Sequence, residues 1–363
     1  MNKSPRQRFI DYVRRVPGAR PVVSPFLPKP DVIANTLAYI GLPAGDDDVA
    51  NEIRLARALD YEPMFMTDCH GLIFPWREDE RRSDAHSVFS TIETPRGEWT
   101  RRVDRALGEF GDDSGFPVQS EEDHEMLALV CDRVADREPE IRRYFREWRE
   151  RVGDDGVLVI GHPHVTWLGY QIGQRNMTYH YFDHTDHYRR SMDAVTRAAL
   201  VVFEIALAEG VDFLSESSSG LDMTSPFLFD EMDVPYLRVL SDWTHARGGL
   251  FWYHNCGMTR DLIASGRFDR IGADVIETIA PPPEGDNDLA ESRRRLSADV
   301  TSKGNFSLGR LRDGTPEQVE SATRAMVEAV RGCRHIHSTA DAVLPGTPPE
   351  NFLAFVETAR RLA

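Results

Sequence analysis

The stretch GLFWYHNCGMTRDLIASGRFDRIGADVIETI, residues 249–279, holds the pattern on which the fold turns. Its two ends, GLFWYHN (249–255) and ADVIETI (273–279), are short β-rich apolar segments that run into polar or turn residues. Working outward, the same kind of segment recurs at RPVVSPFL (20–27), EPMFMTD (62–68), GVLVIGHP (156–163), VDFLSES (211–217), DVTSKGN (299–305) and RHIHSTA (334–340). Helical signals lie between them. Residues 183–209 carry apolar Met192, Val195, Ala199, Val202, Phe203, Ile205 and Ala206 near helical spacing, and Thr315 with Pro316 suits the N-cap and first position of a helix over 315–330. Eight strands alternating with helices predict an α/β protein, a single (β/α)8 TIM barrel over residues 1–363, with an open doubly wound sheet as the competitor. No G-x-G-x-x-G follows the first strand and no G-x-x-x-x-G-K-[ST] occurs, so the barrel is favoured.

The interval 69–156, after the second strand, is too long for one crossover. Its HSVFSTIETPRGEWTRRVD reads as a hairpin turning near Pro95, Arg96 and Gly97, and residues 120–151 read as helices capped by Ser120. An insertion of hairpin plus helices is expected, serving as a partial lid over the barrel mouth. The start of the chain, with Phe9, Ile10 and Val13, suggests a short amphipathic helix rather than a signal peptide.

The chain carries 43 Lys and Arg against 59 Asp and Glu, a formal charge of −16 that repels phosphate backbones and anionic lipid, so neither nucleic acid nor membrane is the expected partner. Four scattered cysteines fit a reduced, cytoplasmic setting better than a disulfide framework.

In such barrels chemistry gathers where strands end. The endings here are Asp68 with Cys69 and His70, His162 with His164, Glu216, His254 with Cys256, Glu277, Asn305, and His337 with Asp341 beyond it. A strand end is polar by default, because the chain enters solvent there, so the coincidence across strands carries the argument. His254 and Cys256 share one side of an extended backbone, and imidazole with thiolate suits zinc, although H-x-C by spacing alone is more often a buried cysteine beside a bonded histidine. A third ligand must come from another strand; Asp341, Glu216, Glu277, His337 and Cys69 are the candidates. Trp252 shares His254's face and is a candidate pocket wall. His162, His164 and Asn305 are candidate substrate contacts, and Asp68, Glu216, Glu277 and His337 candidate acid/base groups.

The runs WYHNCGMTRDLI (252–263), ADVIETIAPPPEGDNDLAESRRRL (273–296), KGNF (303–306), GTPEQVESATRAMV (314–327) and LPGTPPENFLAFVETAR (344–360) resemble the uroporphyrinogen decarboxylase superfamily, which includes cobalamin-dependent methyltransferases. Weaker likeness lies in ALDYEP (58–63), TPRGEW (94–99), FPVQSEEDHEML (116–127) and ALAEGVDFL (206–214). The Arg-rich N-terminal motif with which true decarboxylases of that family grip substrate carboxylates is not found; SPFLPKPDVI stands there, and Lys29 lacks arginine's bidentate fork. The methyltransferase branch binds zinc through H-x-C and a later Cys. His254 and Cys256 match the first two positions, and Asp341 falls about where the third would be. The resemblance therefore implies a zinc-assisted methyltransferase moving a methyl group between a small substrate and a corrinoid carrier, with methylcobalamin or cob(I)alamin on a partner protein, and it implies a homodimer. Carboxylate in place of thiolate hardens the site toward an oxygen or nitrogen substrate. The alternatives are a metal-independent decarboxylase or other lyase of a small organic acid, with Asp68 or a histidine protonating the carbanion, and a non-catalytic binding protein.

Overall fold

The computed structural model describes residues 3–27, 29–67, 69–106, 116–161 and 165–363, without the side chains of 165–167 and 174–175. Ten strands occur among them: β1 (Met64–Thr67), β2 (Arg77–Glu78), β3 (Ser87–Thr94), β4 (Gly97–Asp104), β5 (Val157–Ile160), β6 (Phe213–Ser219), β7 (Leu250–Cys256), β8 (Val275–Thr278), β9 (Thr301–Phe306) and β10 (His335–Thr339). Seven of these form one parallel sheet in the order β1-β5-β6-β7-β8-β9-β10, curled in the manner of a TIM barrel and interleaved with helices. Neighbours in the sheet are neighbours in this chain-order series, as crossover connections produce.

The expected first strand, RPVVSPFL, departs from the prediction. It makes a single bridge, Val23 to His337 of β10. Ser24 N donates to His337 O and His337 N to Val22 O, both at 2.9 Å, while Glu62 N, just ahead of β1, donates to Val23 O at 2.9 Å. The segment thus lies between the two edge strands without becoming a strand. Pro21 and Pro25 have no N–H to give, so a ladder cannot extend past the residues they bracket.

Alternation along the strands sorts side chains onto two faces. The inner face carries Val22, Met64, Val157, Val159, Phe213, Leu250, Trp252, Val275 and Ile336 in one buried cluster. The outer face, with Leu214, Phe251, Tyr253 and Ile276, belongs to the larger core shared with the helices. The N-terminal helix Pro5–Val13, capped by Ser4, closes the floor of the inner face. Its Phe9 ring lies 5.6 Å from Phe213 and 6.2 Å from Trp252. Each such buried ring contributes about 1.5–3 kcal/mol by leaving water, so the floor is a packed core and not a channel.

Two helices follow the predicted local logic. Thr185–Ala208 buries Met192, Val195, Ala199, Val202, Phe203, Ile205 and Ala206, and Pro316–Ala329 starts with a reciprocal capping box between Thr315 and Gln318. Between β1 and β5, β3 and β4 pair antiparallel with Thr94 opposite Gly97, and β2 adds a third, exposed strand of two residues. The helix Glu121–Asp132, capped by Ser120, is tied to Thr185–Ala208 by His124 Nδ1 and Ser191 Oγ at 2.8 Å. No helix among the described residues is long and apolar enough to cross a membrane.

Candidate metal centre

The inner face changes character toward the C-terminal ends of the strands. On β7 the inward series Leu250, Trp252 continues to His254 and Cys256, and on β8 Val275 is followed by Glu277. The parallel register sets His254 opposite Glu277. Their side chains meet: His254 Nδ1 lies 2.9 Å from Glu277 Oε1. From β9, Lys303 Nζ donates to the other oxygen, Glu277 Oε2, at 2.6 Å, and side-chain exposures of 1% and 2% put this pair wholly inside the protein.

Asp341, just past β10, completes the group. One ligand atom each from His254, Cys256 and Asp341 lie within 4.8 Å of one another, the one such cluster of three found among the described residues. Tetrahedral zinc with ligand bonds of about 2.0–2.3 Å holds its ligand atoms roughly 3.5 Å apart, so small side-chain adjustments suffice to close on such an ion. His254 and Asp341 are half-buried and Cys256 is exposed, which leaves an approach from solvent.

The loop after Cys256 is braced. Gly257 has φ +83°, and a Cβ there would come within 2.2 Å of Asp222 Oδ1. Met258 N donates to that same Asp222 oxygen at 3.0 Å, while Thr259 N and Arg260 N donate to Asp286 Oδ1 at 2.9 and 3.0 Å. Two carboxylates therefore hold the backbone that presents the thiol. Gly304 serves closeness in the same way, since a Cβ there would come within 2.1 Å of Thr278 O, and the tight contact brings β9 and Lys303 against β8.

Electrostatics follow from burial and charge. Burial alone would push the Glu277 carboxyl up, but Lys303 and His254 more than offset this and hold it well below the usual carboxylate range. Burial likewise disfavours a charged His254, yet Cys256, Glu277 and Asp341 outweigh it and raise the imidazole well above its ordinary value. Protons and cations thus compete for the same nitrogen.

The expected site residues divide. His254, Cys256 and Asp341 come together, with Glu277 directly behind His254. Glu277 is an ionised anchor between two cationic donors, which makes it a poor proton donor and corrects its expected acid role. Glu216 pairs in register with Tyr253, whose side chain packs in the outer core, so it faces away from His254. His337 follows inward Ile336 on β10 and also faces outward; its Nδ1 is buried without a partner among the described residues. Neither can reach the site, because neighbours on a strand point to opposite faces. Trp252 is on His254's side but fully buried, a floor residue rather than a pocket wall. Asn305 is buried and braces β8 by donating from Nδ2 to Ile279 O at 3.1 Å. Cys69 is buried, its thiol bonded to Gly161 O, and is no part of the trio. Asp68, His162 and His164 lie outside the described residues. Sequence reasoning missed Lys303, although a lysine at an alternate position of DVTSKGN, two residues from Asn305, was the available signal.

Residues 109–362 match the family model described as Uroporphyrinogen decarboxylase (URO-D). A uroporphyrinogen decarboxylase of Synechococcus sp. (strain CC9902) is 34% identical over 154 residues, covering 42% of this chain and 41% of that protein. One from Prochlorococcus marinus (strain MIT 9303) is 25% identical over 50% of this chain and 49% of its own length, so the chain spans about half the length of such relatives. A longer match, to the enzyme of that name from Parasynechococcus marenigrum (strain WH8102), is 23% identical and covers 77% of this chain and 78% of that one. Among solved structures, a methyltransferase from Methanosarcina mazei shares the fold, with a TM-score of 0.66 over 99% of both chains at 14% identity.

Proposed function

Since this chain belongs to the uroporphyrinogen decarboxylase family, we propose that it is an enzyme of the methyltransferase kind, moving a methyl group between a small oxygen- or nitrogen-bound substrate and a corrinoid carried by a partner protein, with zinc at the strand ends. The observation that carries this reading is the convergence of His254, Cys256 and Asp341 with Glu277 behind the histidine. The donor set fits zinc: imidazole, thiolate and carboxylate are its usual ligands, three protein ligands leave one position for substrate, and a carboxylate behind the histidine is its customary support. When bound, zinc would supply Lewis acidity toward the heteroatom that carries or receives the methyl group.

The chain's own residues do the rest. Glu277 accepts the Nδ1–H of His254, so Nε2 is the nitrogen that a cation would take in place of its proton. Asp222 takes the N–H of Met258 and Asp286 those of Thr259 and Arg260, which fixes the backbone just after Cys256 and keeps its thiol at the mouth. The packed floor beneath Trp252, built largely of apolar side chains, keeps water from entering from below. In this reading the 69–156 insertion would serve as a partial lid, and the corrinoid protein would dock over the mouth.

A second reading is decarboxylation of a small organic acid, with Asp68 or a histidine as proton donor; the decarboxylase names of the relatives speak for the reaction class. The two separate in one assay series. Zinc-loaded protein is incubated with cob(I)alamin and a panel of methoxy and methylamine compounds while the corrinoid absorbance is followed, and in parallel with small carboxylic acids while CO₂ is collected. Formation of methylcobalamin with a methylated donor supports the first reading; CO₂ release without methyl transfer replaces it with the second.

A further inference from the structure

We propose that Lys303 is a positioning residue for the metal ligand His254, acting at one remove through Glu277. The inference rests on the zinc reading above and adds a residue that neither the metal set nor the family motifs assign.

A lysine with 1% side-chain exposure inside a barrel is costly, and a buried ion pair by itself is weak support for stability. The surrounding floor of Phe9, Phe213, Trp252 and Val275 shows that this interior packs well with apolar groups. The position of the ammonium accounts for its presence better than stability does. Lys303 Nζ lies 5.6 Å from the ring centres of both Phe26 and Trp252, so two aromatic faces hold it laterally while it donates a hydrogen bond to Glu277 Oε2 at 2.6 Å.

The carboxylate between Lys303 and His254 has both oxygens assigned to different strands. Oε2 accepts from β9 through Lys303, and Oε1 meets His254 Nδ1 of β7 at 2.9 Å. A carboxylate gripped at both ends cannot rotate about its last bond. The plane of Glu277 therefore sets the orientation of the imidazole, puts the N–H on Nδ1, and leaves Nε2 for a cation shared with Cys256 and Asp341. Remove the lysine and Oε2 loses its partner, so the carboxylate no longer dictates how the ring stands.

The test measures zinc affinity, not turnover, by competition with a chromophoric chelator, with melting curves to show that each variant folds. Lys303→Met is expected to weaken zinc about 10- to 100-fold, the range for loss of groups that orient a metal ligand. Glu277→Gln should weaken it comparably, and the double variant Glu277→Gln with Lys303→Met should bind no worse than Glu277→Gln alone. The double variant also removes both buried charges together, so it keeps the test open if Lys303→Met alone does not fold. Wild-type affinity in either Lys303→Met or Glu277→Gln, or a further fall in the double variant, would overturn the proposal. A wild type that binds no zinc removes the metal reading and this inference with it, an outcome distinct from a wild type that binds zinc and a Lys303→Met variant that binds it equally well.

Discussion

His254 and Glu277 are register partners on adjacent parallel strands, and their side chains meet on the inner face at 2.9 Å. This one relationship links the exposed mouth, where Cys256 and Asp341 stand, to a buried charge pair that the rest of the floor does not require.

The Glu277 and Lys303 pair should behave as a unit in stability as well as in zinc binding. Breaking a buried pair strands its partner at a cost of about 3–5 kcal/mol, whereas removing both charges is often close to neutral. Urea unfolding of Glu277→Gln, Lys303→Met and the double variant should therefore be strongly non-additive. Additive losses would show that the two side chains act separately.

Gly257→Ala should damage the site from the backbone. The positive φ and the 2.2 Å approach to Asp222 Oδ1 mean that a methyl group must displace the carboxylate that holds Met258 N. A loss of about 1–3 kcal/mol in stability is expected from strain of this kind, together with measurably weaker zinc binding. A crystal structure of the variant with Asp222 unmoved and unaltered metal affinity would refute this account of the loop.

His337 faces away from the metal-ligand trio and is expected to act in acid stability. Burial lowers its pKa to about 4 from the ordinary 6.5, and its Nδ1 has no hydrogen-bond partner among the described residues. Between these values the unfolded chain binds the proton that the folded chain refuses, so the stability this group preserves at neutral pH is lost as pH falls from about 6.5 toward 4. The loss is on the order of 3 kcal/mol. His337→Leu should flatten that part of the stability profile while leaving zinc affinity at neutral pH unchanged; a variant as acid-sensitive as the wild type would contradict the assignment.

The sequence carried most of the sheet. Seven apolar segments became strands within a few residues of their expected places, and H-x-C on one face of β7 was legible from alternation alone. RPVVSPFL misled because its valines signal a strand while Pro21 and Pro25 deny it a ladder. Facing was harder. Glu216 and His337 look like site residues in any list of strand ends, and only the packing of Phe213 and Ile336 inward shows that both point the other way. Register between parallel strands is set by the intervening helices, so the meeting of His254 with Glu277 could not be read from either segment. Lys303 was hidden for the same reason: a lysine near a strand end reads as solvated until its neighbours are known.

Asp341→Cys gives a directional test of ligand softness. A second thiolate should tighten zinc retention against a chelator and make the bound ion a weaker Lewis acid toward an oxygen or nitrogen donor. Retention and methyl transfer from a methoxy compound should therefore move in opposite directions, and a rise in both would argue that Asp341 is not a ligand.

The measurement that bears most directly on the account is the metal content of protein purified without added metal or a metal-binding tag, beside His254→Ala and Cys256→Ser. The account predicts about one zinc per wild-type chain, lost from both variants while each still melts cooperatively. Wild-type protein that contains no zinc and takes up none on incubation with Zn²⁺, or variants that keep it in full, would contradict it.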